Sequence, residues 1–359
     1  MVITIIIAFF SLMGLIVLHE FGHFLFAKKF GVKVEEFGIG YPPRLFGKKI
    51  GETIYSLNLL PFGAFVRLPG EIEEKDSVDS FSKQPMRERI LIVLGGVLSF
   101  WVIAAVIFTI VSGLGAPIAI DDEASGNLID PKVQIVGVAK DSPAQIAGLK
   151  VGDVIRGLSF SDIQLLPEKT KQIQDFTNNH LGKEINLTVE RGKEVFKTTL
   201  IPRVSPPQGE GSMGVALVRT AIKKYPLYLA PWQGIVTTGN LTVGVINGYF
   251  QAIRNVFIGE PSGVQMTGPV GVFQMLAQAQ ELGITYYLSF LAMISVYLAV
   301  FNLMPIPAVD GGKLVFLTIE AIRKKPIPEK IEQNITAVFF MLLIILMIFV
   351  TINDISRIF

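Results

Sequence analysis

Residues 2–27 read VITIIIAFFSLMGLIVLHEFGHFLFA. The stretch from Val2 to Leu18 carries no charge, and with the residues that follow it reaches the about 20 apolar residues a membrane helix needs. Three polar side chains, His19, Glu20 and His23, interrupt it before Phe24-Leu25-Phe26-Ala27 resumes the apolar run and Lys28 and Lys29 end it. A polar triad inside an apolar span is costly to keep. On a helix, residues four apart lie about 40° apart around the axis, so both imidazoles face one way and can share one metal ion. Glu20 between them can accept a proton from a metal-bound water, whose pKa the metal lowers toward about 7. The segment has no basic leader and no evident small-residue cleavage site, so it is expected to stay as an anchor.

Working outward, the rest of the chain agrees. Of 359 residues, 50% are apolar and 17% charged, against about 25% charged in ordinary soluble domains. Three further apolar stretches, Ile90–Val111, Tyr286–Leu303 and Ile335–Thr351, are expected to span. Tyr225–Val256 mixes Gly, Thr, Asn and Gln with apolar residues and reads as an amphipathic helix, on the membrane surface or packed on the bundle. The loop from Lys28 to Arg89 is rich in lysine and arginine, and Lys313, Arg323, Lys324, Lys325 and Lys330 follow the third span. The positive-inside rule then makes these loops cytoplasmic and puts both termini and the segment 112–285 outside. A net charge of +2 gives no electrostatic footprint for nucleic acid. The absence of cysteine excludes disulfides, thiolate metal sites and thiol catalysis.

A catalytic zinc site takes three protein ligands and leaves a fourth position open. Without cysteine, the third is His180 or a carboxylate. The best carboxylate closes the run Phe301-Asn302-Leu-Met-Pro-Ile-Pro-Ala-Val-Asp310-Gly-Gly. Pro305 and Pro307 break the helix at membrane depth, and the unwound backbone is tolerable only beside a polar cavity. Asp310 follows at the start of a new helix, either reaching the metal or merely capping that helix. Asn302 can hold a substrate carbonyl or stabilise an oxyanion. His180, far from the other two histidines, reads as a surface or structural residue.

Between the second and third spans, residues of about 118–205 look like a separate folded module. Val136-Gly-Val-Ala-Lys-Asp-Ser-Pro-Ala-Gln-Ile-Ala-Gly-Leu-Lys-Val-Gly-Asp-Val-Ile155 predicts a strand, a short helix opened by Pro143 and stopped by Gly148, and a Gly152-Asp153 turn into another strand. This pattern resembles a PDZ domain. The resemblance implies peptide binding at a sheet edge, in a groove between the helix near Ala144–Ala147 and a neighbouring strand, with Met213–Ala216 a candidate carboxylate-binding turn. A spacer or gate that binds no peptide is the alternative.

Taken together, His-Glu-x-x-His in the first span and Asn-x-x-Pro-x-Pro-x-x-Asp-Gly after the third resemble the site-2 protease family of intramembrane zinc metalloproteases. The likeness extends over nearly the whole chain and is nearest the bacterial RseP/RasP-like group with a single PDZ domain. It implies His19, His23 and Asp310 as zinc ligands, one Zn2+ per chain, Glu20 as general base and Asn302 as a substrate contact. Phe37-Gly38-Ile39-Gly40 and Leu60-Pro61-Phe62-Gly63-Ala64-Phe65-Val66 are similar to the family's membrane-associated β-hairpin. By that likeness Gly38, Gly40 and Gly63 belong to a substrate-binding edge, since Gly-rich strands permit close backbone approach. Gln84–Ile90 leading into Leu94-Gly95-Gly96, and Gly268-Pro269-Val270-Gly271, also fit. Ser99, Val309 and Ala64 depart from the family's usual Asn, Leu and Gly.

The expected architecture is a polytopic α-helical membrane protein of about four transmembrane helices, with a membrane-associated β-hairpin and an inserted extracytoplasmic PDZ-like α+β domain. Its parts are residues 1–112 (first half of the protease core), 113–205 (PDZ-like domain), 206–285 (amphipathic connection) and 286–359 (second half of the core). The expected function is an intramembrane zinc endopeptidase of the inner membrane, acting on single-span membrane proteins such as anti-sigma factors or on remnant signal peptides. Partners are that substrate, the lipid bilayer and a peptide or protein ligand of the PDZ-like domain. The alternative is a non-catalytic PDZ-containing membrane adaptor with a structural metal site, against which Glu20 counts, since a structural site needs no base. A metal transporter fits less well, because neither repeated halves nor several polar residues per span are seen.

Overall fold

The computed structural model describes residues 2–71, 77–124, 129–192, 194–260 and 267–358. In chain order its elements are α1 (Val2–Lys29), β1 (Glu36–Ile50), β2 (Thr53–Arg67), α2 (Met86–Leu114), β3 (Ala116–Ile120), β4 (Ile129–Val138), α3 (Pro143–Ile146), β5 (Val154–Phe160), β6 (Ile163–Leu165), α4 (Thr170–Asn179), β7 (Ile185–Arg191), β8 (Glu194–Leu200), β9 (Val215–Lys223), α5 (Ala230–Phe257), α6 (Pro269–Leu282), α7 (Ile284–Leu303), α8 (Asp310–Arg323) and α9 (Glu329–Ile358). Among the described residues, four helices are long and apolar enough to cross a membrane: Ile3–Lys29, Met86–Leu114, Ile284–Leu303 and Glu329–Ser356. They match the four stretches expected from composition. The chain divides into two compact units, one of residues 1–109, 231–277 and 290–359 and the other of residues 110–230 and 278–289.

In the first unit α1 and α2 cross at bare backbone. A Cβ on Gly22 would lie 2.2 Å from the Gly95 carbonyl oxygen, so no larger residue fits there, and close approach is what small residues give membrane helices. Leu15, Val97, Phe100, Leu291 and Ala299 fill the space between α1, α2 and α7. Ala27, Val32, Phe81, Ile92, Val93 and Leu317 pack the end of α1 against the start of α2 and against α8. By contrast α9 keeps only 6% of its apolar window inside the protein, as a lipid-facing span should.

The hairpin is more folded than two alternating strands suggest. Arg44–Ile50 pairs with Thr53–Asn58, while Glu36–Ile39 lies between two segments of β2. On one side Glu36 faces Arg67 and Ile39 faces Ala64; on the other Glu36 faces Ile54 and Ile39 faces Leu57. Two strands thus make four rows. Glu36 knots them: its buried carboxylate accepts from Ser56 Oγ at 2.6 Å and from Arg44 Nε at 3.1 Å, with Arg67 Nη1 at 3.5 Å. Burial by itself raises its pKa. The Ser56 and Arg44 hydrogen bonds and the two guanidinium charges outweigh that and hold the carboxyl below its ordinary range.

The second unit is a seven-stranded sheet in the order β3-β9-β4-β5-β7-β8, with β6 on β5. Val133, Ile135, Ile155, Leu158, Ile173 and Leu187 form its core under α4. Pro143 opens α3 and Ser142 Oγ caps it, accepting from Gln145 N at 3.1 Å. Asp122 caps α4, accepting from Thr170 N, Thr170 Oγ1 and Lys171 N. The sheet takes in β9, beyond the 113–205 span expected from sequence, because β9 sits between β3 and β4. The strand after Met213-Gly214 is therefore interior to the sheet over Arg219–Lys223, where β3 pairs with it. His180 is structural: it is buried, its Nδ1 lies 2.7 Å from the Phe176 carbonyl, and its ring packs on Phe160 and Phe176.

Candidate metal centre

His19 and His23 lie one helical turn apart on α1, with ring centroids 4.8 Å apart. Their Nε2 atoms each lie 3.4 Å from a single oxygen, Oδ2 of Asp310. Asp310 arrives from the far end of the chain because α7 stops at Leu303 and the Pro305–Pro307 segment doubles back. Ile306 N bonds Met304 O at 2.7 Å and Val309 N bonds Ile306 O at 3.0 Å, after which α8 begins at Asp310. The turn requires glycine behind it: a Cβ on Gly311 would lie 2.0 Å from the Met304 carbonyl oxygen, and one on Gly312 would lie 2.3 Å from that of Ile306. The Asp310 side chain makes no capping bond to α8. Its Oδ2 is buried without a hydrogen-bond donor.

Each imidazole is held from behind. His23 Nδ1 lies 3.0 Å from the Ile92 carbonyl, which fixes the proton on Nδ1 and leaves the Nε2 lone pair free. His19 stacks on Phe100, centroids 4.5 Å apart and planes 15° apart. Its Nδ1 is buried without a partner of good geometry, the Gly96 carbonyl nearby being taken by Ser99 Oγ at 2.6 Å. Gly96 forms the wall against which both rings rest. A Cβ there would lie 2.1 Å from His23 Nε2 and 2.7 Å from His19 Cε1.

The three ligating atoms lie within 4.8 Å of one another. Tetrahedral zinc with bonds of about 2.0–2.2 Å sets neighbouring ligand atoms about 3.3–3.6 Å apart, and the observed 3.4 Å between each Nε2 and Oδ2 falls in that range. Two imidazoles and one carboxylate, with an oxygen buried and lacking a hydrogen-bond partner, are a donor set suited to zinc. The residues fit the metal.

Beside the trio opens a cavity of ≈ 1250 Å³ lined by Glu20, His23, Ala64, Val66, Asp310 and Lys313, among others. The Val66 backbone N–H faces the Glu20 carboxylate. Arg67 O is taken by Glu35 N at 3.0 Å, and the alternation of backbone groups along a strand turns Val66 away from β1 and toward the cavity. Farther along, Lys313 Nζ bonds Glu332 Oε1 at 2.5 Å and the Glu71 carbonyl at 3.2 Å. Burial pushes the Glu71 carboxyl above its ordinary range, although the Lys313 charge opposes this.

The remaining residues that the sequence points to stand apart from the trio. Asn302 donates to the Leu298 carbonyl one turn back at 2.9 Å and is not among the cavity's lining residues. Gly38, Gly40 and Gly63 shape the hairpin and do not line the cavity. Gly38 lies against the Phe65 ring; Gly40 and Gly63 take φ of 77° and 82°, a left-handed conformation that glycine adopts without strain. Gly96 and Phe100 belong to the site without being expected there from sequence, whereas Val66 lies in the stretch Leu60–Val66 whose resemblance implied a substrate edge. The Gly95-Gly96 pair is the visible signal for the first of them.

Residues 7–346 match peptidase family M50. Among similar proteins, "Putative zinc metalloprotease CPE1693" of Clostridium perfringens is 36% identical over 355 residues, covering 98% of each chain. "Zinc metalloprotease RasP" of Shouchella clausii is 29% identical over 436 residues, again with 98% of each covered. "Regulator of sigma-W protease RasP" of Bacillus subtilis is 28% identical over 434 residues, with 100% of each covered. With two histidines of an apolar span meeting Asp310 of α8 in a metal-ready trio, and relatives aligned from end to end, the chain belongs to peptidase family M50, the site-2 zinc metalloproteases.

Proposed function

We propose that this membrane zinc metalloprotease cuts single-span membrane proteins or remnant signal peptides in or near the bilayer, anti-sigma factors being one substrate class. The observation that carries this reading is the meeting of Asp310, from the start of α8, with His19 and His23 of a membrane-spanning helix beside a cavity edged by strand backbone. That one relative is named a regulator of sigma-W protease supports the substrate class. In this reading His19 Nε2, His23 Nε2 and Asp310 Oδ2 hold the zinc. When bound, zinc supplies Lewis acidity, lowering the pKa of water in its shell toward about 7 and polarising a carbonyl. Glu20 takes the proton from the attacking water on its carboxylate and passes it to the leaving amine nitrogen. The Ala64–Val66 edge holds the substrate extended by strand addition, because a peptide bond inside a helix is shielded from attack. Asn302, one turn before the helix break, steadies the substrate carbonyl after turning away from Leu298.

The rest of the assignment follows the charge pattern. The basic loops after α1 and after α7 are cytoplasmic, and both termini and the sheet-bearing segment are extracytoplasmic. Residues 1–112 and 286–359 form the protease core. Residues 113–205 together with β9 form a PDZ-like domain that receives a peptide or protein ligand, and the rest of 206–285 connects it back to the core.

Cleavage of a tagged single-span substrate in liposomes tests this reading. Wild type is expected to cut, to stop when a chelator strips its metal and to recover with added zinc, while Glu20→Gln keeps its zinc and loses cleavage. Cleavage by Glu20→Gln at the wild-type rate overturns the assigned base. Cleavage that survives metal removal overturns the zinc mechanism.

A further inference from the structure

The proposed cleavage needs two parts held at a fixed spacing: the substrate edge Ala64–Val66 on β2, and the metal trio, whose Asp310 stands on α8. Lys313 joins them. It follows Asp310 by three residues, so the two side chains are neighbours on the helix surface, and both line the cavity. Its Nζ donates to the Glu71 carbonyl at 3.2 Å and to Glu332 Oε1, in the first turn of α9, at 2.5 Å. The Lys313 and Glu332 side chains are 18% and 21% exposed, and salt screens such an enclosed pair less than one in open water. Glu332 balances the ammonium charge, so the lysine brings a directed donor to the cavity wall without a bare cation.

The receiving end is itself held in place. Glu71 closes a turn that follows β2. Within that turn Pro69 O accepts from Phe81 N at 2.8 Å and from Ser80 Oγ at 3.1 Å. Gly70 takes a φ of 76°, and a Cβ there would lie 1.9 Å from Ser80 Oγ. Lys313 Nζ stands 5.8 Å from the centroid of the Phe81 ring. The turn is therefore fastened to the residues before α2 on one side and to α8 on the other, and the substrate edge runs directly into it.

Apolar contact also brings β2 and α8 together. Leu68 and Leu317 are buried in one cluster, with Val66 and Leu314 packed against it. Such contact is non-directional, whereas a hydrogen bond constrains both distance and angle. Choosing one peptide bond needs that constraint. Successive residues of a strand advance about 3.3 Å, so an edge displaced by that much presents the neighbouring bond to the metal. A misplacement of about 1 Å already costs about 100-fold in rate.

We propose that Lys313 is a positioning residue: through the Glu71 carbonyl it holds the substrate edge at a fixed distance from Asp310 and so selects which peptide bond is cut. The proposal rests on the strand-addition reading of the Ala64–Val66 edge and adds to it what sets the place of the cut along the bound strand.

Lys313→Met keeps an apolar stem and removes the donors; Lys313→Arg supplies donors to both acceptors. Both are made in the full-length protein, which cuts a tagged single-span substrate in liposomes, and the fragments are mapped by mass spectrometry. Nitroxides at Arg67→Cys and Thr318→Cys, both exposed positions, report the spacing of β2 and α8 without any need for activity. The absence of cysteine keeps those labels specific. In Lys313→Met, kcat is expected to fall by about tenfold or more with KM within about twofold of wild type. Zinc content is expected to stay, cuts to spread to neighbouring bonds and the nitroxide distances to broaden, and Lys313→Arg is expected to reverse each change. A lysine that served stability alone would slow cleavage and leave it at the same bond.

Lys313→Met cutting at the wild-type bond alone overturns the proposal, as do nitroxide distances as narrow as those of the parent protein. Loss of zinc also overturns it, since the lysine then supports Asp310 and not the edge. So does a spread of cuts that Lys313→Arg leaves unchanged. A Lys313→Met protein that cuts nothing while its distances broaden counts in favour. Broadened distances where the wild type itself cuts no substrate count against the proteolytic reading and not against the tether.

Discussion

Replacing Gly96 with alanine tests whether the two imidazoles owe their positions to the bare backbone behind them. The new Cβ would lie 2.1 Å from His23 Nε2, 2.5 Å from His23 Cε1 and 2.7 Å from His19 Cε1. Carbon contacts below 3.0 Å are essentially never seen, so His23 Nε2 must retreat by at least 3.0 − 2.1 = 0.9 Å and His19 by at least 3.0 − 2.7 = 0.3 Å. The His23 ring cannot swing freely, because its Nδ1 is held by the Ile92 carbonyl at 3.0 Å. Ligand distances at a metal site tolerate about 0.2 Å, so both shifts exceed what the site absorbs. Losing a contact that merely supports a ligand costs about 10–100-fold in metal affinity, and displacing two ligands is expected to cost more than about 100-fold. Alanine is a better helix former than glycine by roughly 0.5–1 kcal/mol, so α2 itself is not expected to unravel. The assay is zinc titration of metal-free Gly96→Ala in detergent against a chromophoric chelator, with helicity followed by circular dichroism. Gly14→Ala serves as control, since nothing lies within 4 Å of a Cβ on Gly14, and it should bind zinc as wild type does. Wild-type zinc affinity in Gly96→Ala would refute the claim that this wall sets the ligand geometry.

Three further outcomes follow from particular contacts. Asp310→Asn is expected to lose zinc affinity by more than about 100-fold with α8 intact, because the carboxylate makes no capping bond; metal content and far-ultraviolet dichroism check both halves. Removing Glu320 leaves the largely enclosed Arg89 guanidinium, its side chain 15% exposed, without its 2.9 Å ion pair, and Arg89 Nε is already buried without a partner. Glu320→Leu is therefore expected to lose about 3–5 kcal/mol of stability, read by denaturant unfolding in mild detergent. Glu36 has a folded-state pKa below its unfolded value, so its contribution is present above the unfolded pKa of 4.5 and is lost as pH falls through the folded-state value. The hairpin should loosen in acid, seen as faster proteolysis of 36–67, and Glu36→Gln should remove that pH dependence.

How much of this was legible in the sequence depends on the kind of physics each feature rests on. His19, Glu20 and His23 were readable because helical geometry places them together whatever the rest of the chain does, and because polar groups in an apolar run are too costly to persist without a use. Asp310 was readable in part. Pro305 and Pro307 announced a break at membrane depth, but the break alone left a capping role equally open. What favours the metal role is the Oδ2 atom lying 3.4 Å from both imidazoles without a capping bond. The four spans were readable from composition, since length and apolarity are properties of a segment taken alone.

Gly96, the folded-over rows of the hairpin and β9 belong to a different class. Gly96 matters because of what approaches it, and nothing local says that histidines some seventy residues earlier will press against its α-carbon. The rows of the hairpin depend on Glu36–Ile39 being taken up between two segments of one partner strand, which alternation of polar and apolar residues does not encode, since alternation assigns faces and not the number of partners. β9 joins the sheet through β3, its partner some hundred residues earlier. A signal for each did exist, in the bare Gly95-Gly96 pair, in the buried Glu36 among arginines and in Val215–Lys223 continuing past the expected domain end, but each became meaningful only once the partner was in place. The chemistry of the site is thus written in residue types at short spacing, while its precision is held by backbone that happens to be unencumbered. The Gly96→Ala titration separates these two contributions: it leaves every proposed ligand, base and span unchanged and alters only the wall behind them.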